Sequence, residues 1–204
     1  MVALVVVGHP RPDSFNHAIA RRAAGTLREL GHEVVLRDLQ AEDFDPVLPG
    51  REEPAGGHID PTVAEHCAEL AAAEAIVVVH PNWWGMPPAV MKGWIDRVFR
   101  PRVAYRFDEG DDGAGVPVGL LGARVAVVLN TSNTETLRET EVFGDPLDRI
   151  WRDCIFGLCG IANVHRRMFR IICTSTPQQR ARWLDEVEEI IRETVGPPHR
   201  EDAP

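Results

Sequence analysis

The sequence predicts an α/β fold, a doubly wound parallel sheet of five strands in the order 2-1-3-4-5 with helices on both faces. Three observations predict it. Short apolar runs rich in β-branched residues recur along the chain, at Val2 to Val7, Val34 to Leu36, Ala75 to Val79, Ala123 to Leu129 and Met168 to Ile172. Continuous apolar strands of this kind are buried on both faces, as parallel strands are. Between them lie stretches with apolar residues at three- and four-residue spacing, the period of an amphipathic helix. Each such stretch opens on a helix-start signal, and strand–helix–strand succession implies parallel, right-handed crossovers.

The 204 residues suffice for one domain with a substantial core. Residues 1–196 are expected to form it, and the Pro-rich, charged residues 197–204 to be a loose tail. Composition is that of a globular protein, with 44% hydrophobic and 26% charged residues. Lys and Arg number 22 against 31 Asp and Glu, a formal charge of −9 spread along the chain. This argues against nucleic acid or an acidic membrane surface as partner. No apolar run approaches the roughly 20 residues of a membrane span. Met1-Val2-Ala3 enters a strand at once, with no basic leader and no cleavage site, so a cytoplasmic location is expected. Cys67, Cys154, Cys159 and Cys173 form no C-x-x-C pair and read as reduced core residues, not as metal ligands.

After the first strand, Gly8 to Asp13 is a loop, and Ser14 or Asp13 can cap the helix whose buried face is Ile19, Ala23, Leu27 and Leu30. Gly31 ends that helix. The helix N-terminus, with Ser14, Asn16 and His9 as added donors, can cradle a phosphate or can simply be a capped helix. Neither G-x-G-x-x-G nor G-x-x-x-x-G-K-[ST] is present. Residues 40–60 read as a long surface connection with Phe44 and Leu48 as its apolar points. Asp60-Pro61 opens a second helix with Val63, Cys67 and Leu70 on its inner face.

Residues 75–99 organise the rest. The strand Ala75 to Val79 is expected to end at His80, and Pro81-Asn82-Trp83-Trp84-Gly85 forms a stiff turn. Helix resumes near Pro88, with Val90, Met91, Trp94, Ile95 and Val98 as its stripe. In open parallel sheets ligands bind at the carboxyl ends of strands. Two adjacent tryptophans there suit a flat aromatic ligand, or are core packing. Residues 100–121 hold Tyr105 and Phe107, as a lid or partner contact, and an acidic turn from Asp108 to Gly113 that lacks the EF-hand pattern. Asn130-Thr131-Ser132-Asn133-Thr134 follows the fourth strand on the same edge, with donors for a heterocycle or caps for the next turn. Asp145-Pro146 opens a helix with the stripe Leu147, Ile150, Trp151, Cys154, Ile155 and Leu158, wide enough to face a second subunit. Thr176 to Gln179 caps the last helix.

These residues carry a resemblance. His9-Pro10 with Ser14-Phe15-Asn16, then His80 to Trp84 with Pro88 and Lys92 to Phe99, resemble the NAD(P)H:quinone oxidoreductases of the flavodoxin-like fold. Ile59-Asp60-Pro61, Phe143-Gly144-Asp145, Cys159-Gly160 and Thr176-Pro177 extend the likeness over nearly the whole chain. The resemblance implies a homodimer with a flavin at the subunit boundary and NAD(P)H as co-substrate. It implies two successive hydride transfers, from NAD(P)H to the flavin and from the flavin to a quinone or similar small electrophile. His9, Ser14, Phe15 and Asn16 would hold the flavin phosphate. Pro81, Asn82, Trp83, Trp84 and Gly85 would pack along its ring, and Asn130, Thr131, Ser132 and Asn133 would meet the ring's polar edge.

The chain also departs from that pattern. Ser132 and Asn133 stand in place of a glycine pair, Phe143 in place of a His, and Leu137 or Arg138 in place of a Tyr. The Tyr–His proton relay of the mammalian-type enzymes is therefore absent, which points to a bacterial-type branch, and no catalytic residue is assigned. FAD is favoured over FMN, although Asp45 stands where a Gln contacts the second phosphate, and a carboxylate there repels a pyrophosphate. Two other readings are an electron carrier of the flavodoxin type and a regulatory subunit of a potassium-efflux system. His9-Pro10-Arg11-Pro12 replaces the Ser/Thr-Gly-rich phosphate loop expected of the carrier, and nothing in the sequence marks a membrane partner.

Overall fold

The computed structural model describes residues 1–52, 59–108 and 115–197. The chain runs β1 (Val2–Val7), α1 (Phe15–Glu29), β2 (Glu33–Asp38), α2 (Pro61–Ala72), β3 (Ala75–Pro81), α3 (Ala89–Val98), β4 (Tyr105–Arg106), β5 (Val118–Gly119), β6 (Val125–Ser132), α4 (Pro146–Arg149), β7 (Val164–Arg170) and α5 (Pro177–Thr194). The main sheet is ordered β2-β1-β3-β6-β7 and every neighbouring pair is parallel. With the small β4–β5 hairpin set apart, this is the 2-1-3-4-5 order expected from the sequence. That hairpin is antiparallel and lies in the stretch read as a lid or partner contact. Of the acidic turn, only Asp108 is among the described residues.

Alternate residues of the central strands feed two cores. Leu4, Val6, Ile76, Val78, Ala126 and Val128 pack under α2 and α3. Ala3, Val5, Val77, Val79, Val127 and Leu129 pack under α1 and α5. Strands buried on both faces carry no polar alternation, which is why these three are legible as apolar runs. Helix ends follow the expected chemistry. Ser14, Asp60 and Thr176 each cap a helix by accepting a backbone N–H, and Gly31 follows α1 at φ 92°. None of the described helices is long and apolar enough to cross a membrane.

Several boundaries differ from the sequence reading. β3 runs on through His80 and Pro81, which pair with Asn130 and Thr131 of β6. Proline at a strand's last position removes no bond the ladder needs. β6 likewise includes Asn130, Thr131 and Ser132, because their side chains find partners inside the protein. β7 begins four residues earlier than expected, since its arginines are neutralised by carboxylates. Arg166 pairs with Asp145 and Asp148, and Arg167 with Glu186.

The helix expected from Pro146 to Leu158 is α-helical only to Arg149, and Ile150–Gly157 winds as a π-helix. The wider repeat brings together residues five positions apart, so Trp151 lies on Phe156 with ring centroids 5.4 Å apart. Leu147, Trp151 and Phe156 are buried, whereas Cys154 and Leu158 of the expected stripe are exposed. Cys67 and Cys159 are buried as expected, but Cys173, like Cys154, is exposed. The 40–60 connection is pinned more deeply than a surface loop. Its described part buries Phe44 and Glu52, and Glu52 receives two hydrogen bonds from Arg97, at 3.0 and 2.6 Å.

Candidate active site at the carboxyl edge of the sheet

Three loops meet where β1, β3 and β6 end. The first joins β1 to α1. Ser14 Oγ accepts the His17 N–H and lies 2.8 Å from His17 Nδ1, and His17 Nε2 meets Asp38 at 3.0 Å. Asn16 and Thr131 exchange hydrogen bonds of 3.0 and 3.2 Å, which tie α1 to β6. The side chains of Ser14 and Asn16 are thus buried and committed to the fold. The first intrahelical bond is that of Ala18, so the N–H groups of Phe15 and Asn16 have no partner among the described residues. Phe15 turns its ring away, onto Trp183 at 5.9 Å. His9 accepts the Arg11 N–H, and its ring lies 6.1 Å from that of Trp83. Burial holds the His9 imidazole below its ordinary pKa.

The second loop is the double-tryptophan turn. Trp83 and Met86 bond to each other through both backbone groups, and Trp84 and Gly85 between them have φ of 58° and 73°. Two left-handed residues across such a bridge are the pattern of a type I′ turn. Holding Trp84 there costs roughly 1–2 kcal/mol. Asn82 offsets this by accepting the Gly85 N–H at 3.0 Å. A side chain at Gly85 would meet Pro146, with its Cβ 2.7 Å from Pro146 Cγ. Trp84 is 98% exposed and Trp83 44%, so neither is core.

The third loop leaves β6. Ser132 Oγ accepts the Thr134 N–H, and Asn133 Oδ1 accepts the Cys173 N–H. Beneath both loops lies a buried polar network. His80 donates from Nδ1 to the Pro81 carbonyl, and its Nε2 accepts from Trp151 at 2.9 Å and Asn130 at 3.1 Å. Asn130 in turn accepts from Arg166. Full burial lowers the His80 pKa to about 4, so the ring is neutral, as this donor–acceptor pattern requires.

Asn82, Trp84, Gly85 and Asn133 line a cleft of about 920 Å³, together with Thr134, Glu135, Arg138, Glu139, Phe143 and Pro146. Trp83 instead lines a groove of about 440 Å³ with Pro10, Phe44, Asp43 and Asp45. Of the residues singled out from sequence, Pro81, Asn130, Thr131 and Ser132 form the floor beneath the edge. His9, Ser14, Phe15 and Asn16 lie at the α1 end. The lining residues missed are Glu135 and Glu139. Asn82 donates to Glu139 across 57 positions of sequence, a pairing that no local pattern announces.

The sequence pattern of a family described by its flavodoxin-like fold matches residues 1–193. The chain belongs to this family. Within it, the chain is 32% identical to an uncharacterized NAD(P)H oxidoreductase of Haemophilus influenzae, over 81% of this chain and 82% of that one. It is 30% identical to the NAD(P)H dehydrogenase [quinone] 1 of Rattus norvegicus over 52% of this chain, and spans 45% of that relative's length. Among solved structures, the NAD(P)H:quinone oxidoreductase of Methanothermobacter marburgensis superposes with a TM-score of 0.78 at 25% identity, covering 94% of this chain and 98% of that one. The flavodoxin-like chain therefore has the fold and the strand order expected of it from sequence.

Proposed function

We propose that the protein is a flavin-dependent NAD(P)H oxidoreductase that reduces quinones or related small electrophiles in two-electron steps. One observation carries the reading: Trp84, wholly exposed on a strained turn, lines a cleft together with Phe143, at the sheet edge where α1 offers two N–H groups without a partner among the described residues. A phosphate is held well by such a helix end, and a flat ring by such a cleft. The residues fit a flavin mononucleotide. FAD is the expectation from the resemblance, but Asp43 and Asp45 line the adjoining groove and would repel a second phosphate, so FMN is the better reading.

A bound flavin supplies hydride transfer in both directions. The chain supplies the rest. The N–H groups of Phe15 and Asn16 would donate to the phosphate, with His9 alongside. Trp84 and Phe143 would screen the ring from water and hold an incoming nicotinamide or acceptor parallel to it. The fully bonded His80 network keeps the floor from shifting. Trp84 and Phe143 of the cleft are exposed, as are Leu137 and Val142 just before Phe143 in the chain, and a second copy of the chain covering them would complete the site as a homodimer.

The test is steady-state reduction of a benzoquinone by NADPH or NADH with the purified chain, with FMN, with FAD and with neither. Turnover that depends on added or co-purified flavin is expected. Protein that binds neither flavin and oxidises neither nucleotide would overturn the reading.

A further inference from the structure

Among the described residues that line the cleft there is one cation, Arg138. It opens the π-helical turn Arg138–Val142, which the Phe143 N–H closes by donating to the Arg138 carbonyl at 3.0 Å. Arg138 and Phe143 therefore stand one turn apart and line the same cleft. Arg138 is exposed. Arg152, Arg166 and Arg167 are each paired with a carboxylate, whereas no hydrogen bond or ion pair joins the Arg138 guanidinium to a described residue. Two carboxylates also line the cleft. Glu139 is buried, accepts from Asn82 at 3.0 Å, and has Arg170 near it as a counter-charge. Glu135 is exposed and stands three positions before Arg138, with no ion pair between them.

The electron donor read above, NADH or NADPH, is a polyanion, and the chain carries a formal charge of −9. The field of the whole protein opposes its approach, and a cation in the cleft is where that repulsion can be offset. The N–H groups at the start of α1 are assigned to the flavin phosphate, which leaves Arg138. The order of groups along the ligand decides which phosphate it meets. With the nicotinamide held parallel to the flavin ring against Phe143, one ribose separates it from the pyrophosphate. A long arginine side chain one turn from Phe143 spans that step. The 2′-phosphate of NADPH lies on the far ribose, beyond the pyrophosphate. We infer that Arg138 binds the pyrophosphate of the nicotinamide dinucleotide at its nicotinamide-side phosphate, through the planar fork that suits phosphate oxygens, and so serves NADH and NADPH alike. This rests on the flavin reading above. Glu135 opposes the contact by its charge, so the two side chains act on one ligand with opposite sign.

The experiment is calorimetric titration of the flavin-loaded full chain with four ligands: NADP, NAD, nicotinamide mononucleotide and nicotinamide riboside. All are used oxidised, so that no electron moves, and the riboside carries no phosphate. Arg138→Gln should weaken the first three about fivefold to tenfold, by loss of a charged hydrogen bond, and leave the riboside within about twofold. Arg138→Lys, which keeps the charge but not the fork, should restore the three to within about threefold of the parent. Glu135→Gln should tighten the same three about twofold. Both side chains are exposed, so these changes spare the core. A loss in Arg138→Gln that is confined to NADP, or that spares the mononucleotide, puts the guanidinium farther along the ligand and overturns the assignment. A loss shared equally by the riboside reports a disturbed cleft and not a phosphate contact. That result, or unchanged affinity for all four ligands, overturns the assignment while leaving the flavin reading intact. Protein that takes up neither FMN nor FAD overturns that reading, and the assignment with it.

Discussion

The phosphate end of the candidate site is the work of one helical turn, whereas the ring end needs residues from places far apart in the chain. At the first, Ser14 caps α1, His17 and Asp38 brace the cap, and two N–H groups have no partner among the described residues. Apart from Asp38, which comes from the end of β2, all of this lies within a few residues of a recognisable helix start. At the second, Trp84 stands on a strained turn, Asn82 reaches Glu139, and Gly85 touches Pro146. The first end is built from capping chemistry that any helix can use. The second is over-determined by tertiary contacts, and strain is stored there.

This difference can be broken from the ring end with the largest effect. Gly85→Val forces a β-branched residue to positive φ and drives it into Pro146. It should cost about 4 kcal/mol in urea unfolding, combining left-handed strain and overpacking. A loss below about 1 kcal/mol, within the reach of surface changes, would show that the turn is not held as described.

The floor should respond to pH. The His80 pKa is lowered in the folded protein to about 4, from an ordinary value near 6.5. The folded state therefore keeps its full stability above about pH 6.5 and loses about 3 kcal/mol as pH falls toward 4, because the unfolded chain takes up the proton first. Unfolding free energies measured from pH 7 to pH 5 should fall more steeply in the parent than in His80→Gln, where that proton is gone. Parallel slopes would remove His80 as the source.

Trp84→Ala separates function from folding. The indole touches mostly solvent, so stability should stay within about 0.5 kcal/mol, while turnover with a quinone falls roughly tenfold or more through lost ring packing. Unchanged turnover would take the wall of the cleft elsewhere. The smallest effect is expected at the phosphate end. Ser14→Ala removes one cap and should cost about 1 kcal/mol, with weaker FMN binding but unchanged binding of riboflavin, which carries no phosphate. Equal weakening of both flavins would show that the helix end does not hold the phosphate.

The same contrast explains what was legible in the sequence. β1, β3 and β6 announce themselves because strands buried on both faces are continuous apolar runs. Ser14, Asp60 and Thr176 announce themselves because a cap is local. β7 hid behind His165, Arg166, Arg167 and Arg170; the charges of Arg166 and Arg167 are met by carboxylates distant in sequence. The segment from Ile150 to Gly157 misled because its period is wider than that of an α-helix, so the expected stripe included exposed Cys154 and Leu158. Asn130, Thr131 and Ser132 read as loop because they are polar, yet their partners His80, Asn16 and the Thr134 backbone draw them into the strand. Glu139 had no local signal at all. Its place becomes visible only when α1, the Trp84 turn and the 133–146 segment are brought to one edge.

The account stands most directly on one measurement: the visible spectrum of the purified protein before and after anaerobic addition of NADPH, followed by a quinone. The account predicts a yellow protein that releases FMN, bleaches on one equivalent of NADPH per flavin, and regains its colour with one equivalent of quinone. A colourless chain that takes up neither FMN nor FAD, or a flavin that NADPH and NADH leave oxidised, would contradict it.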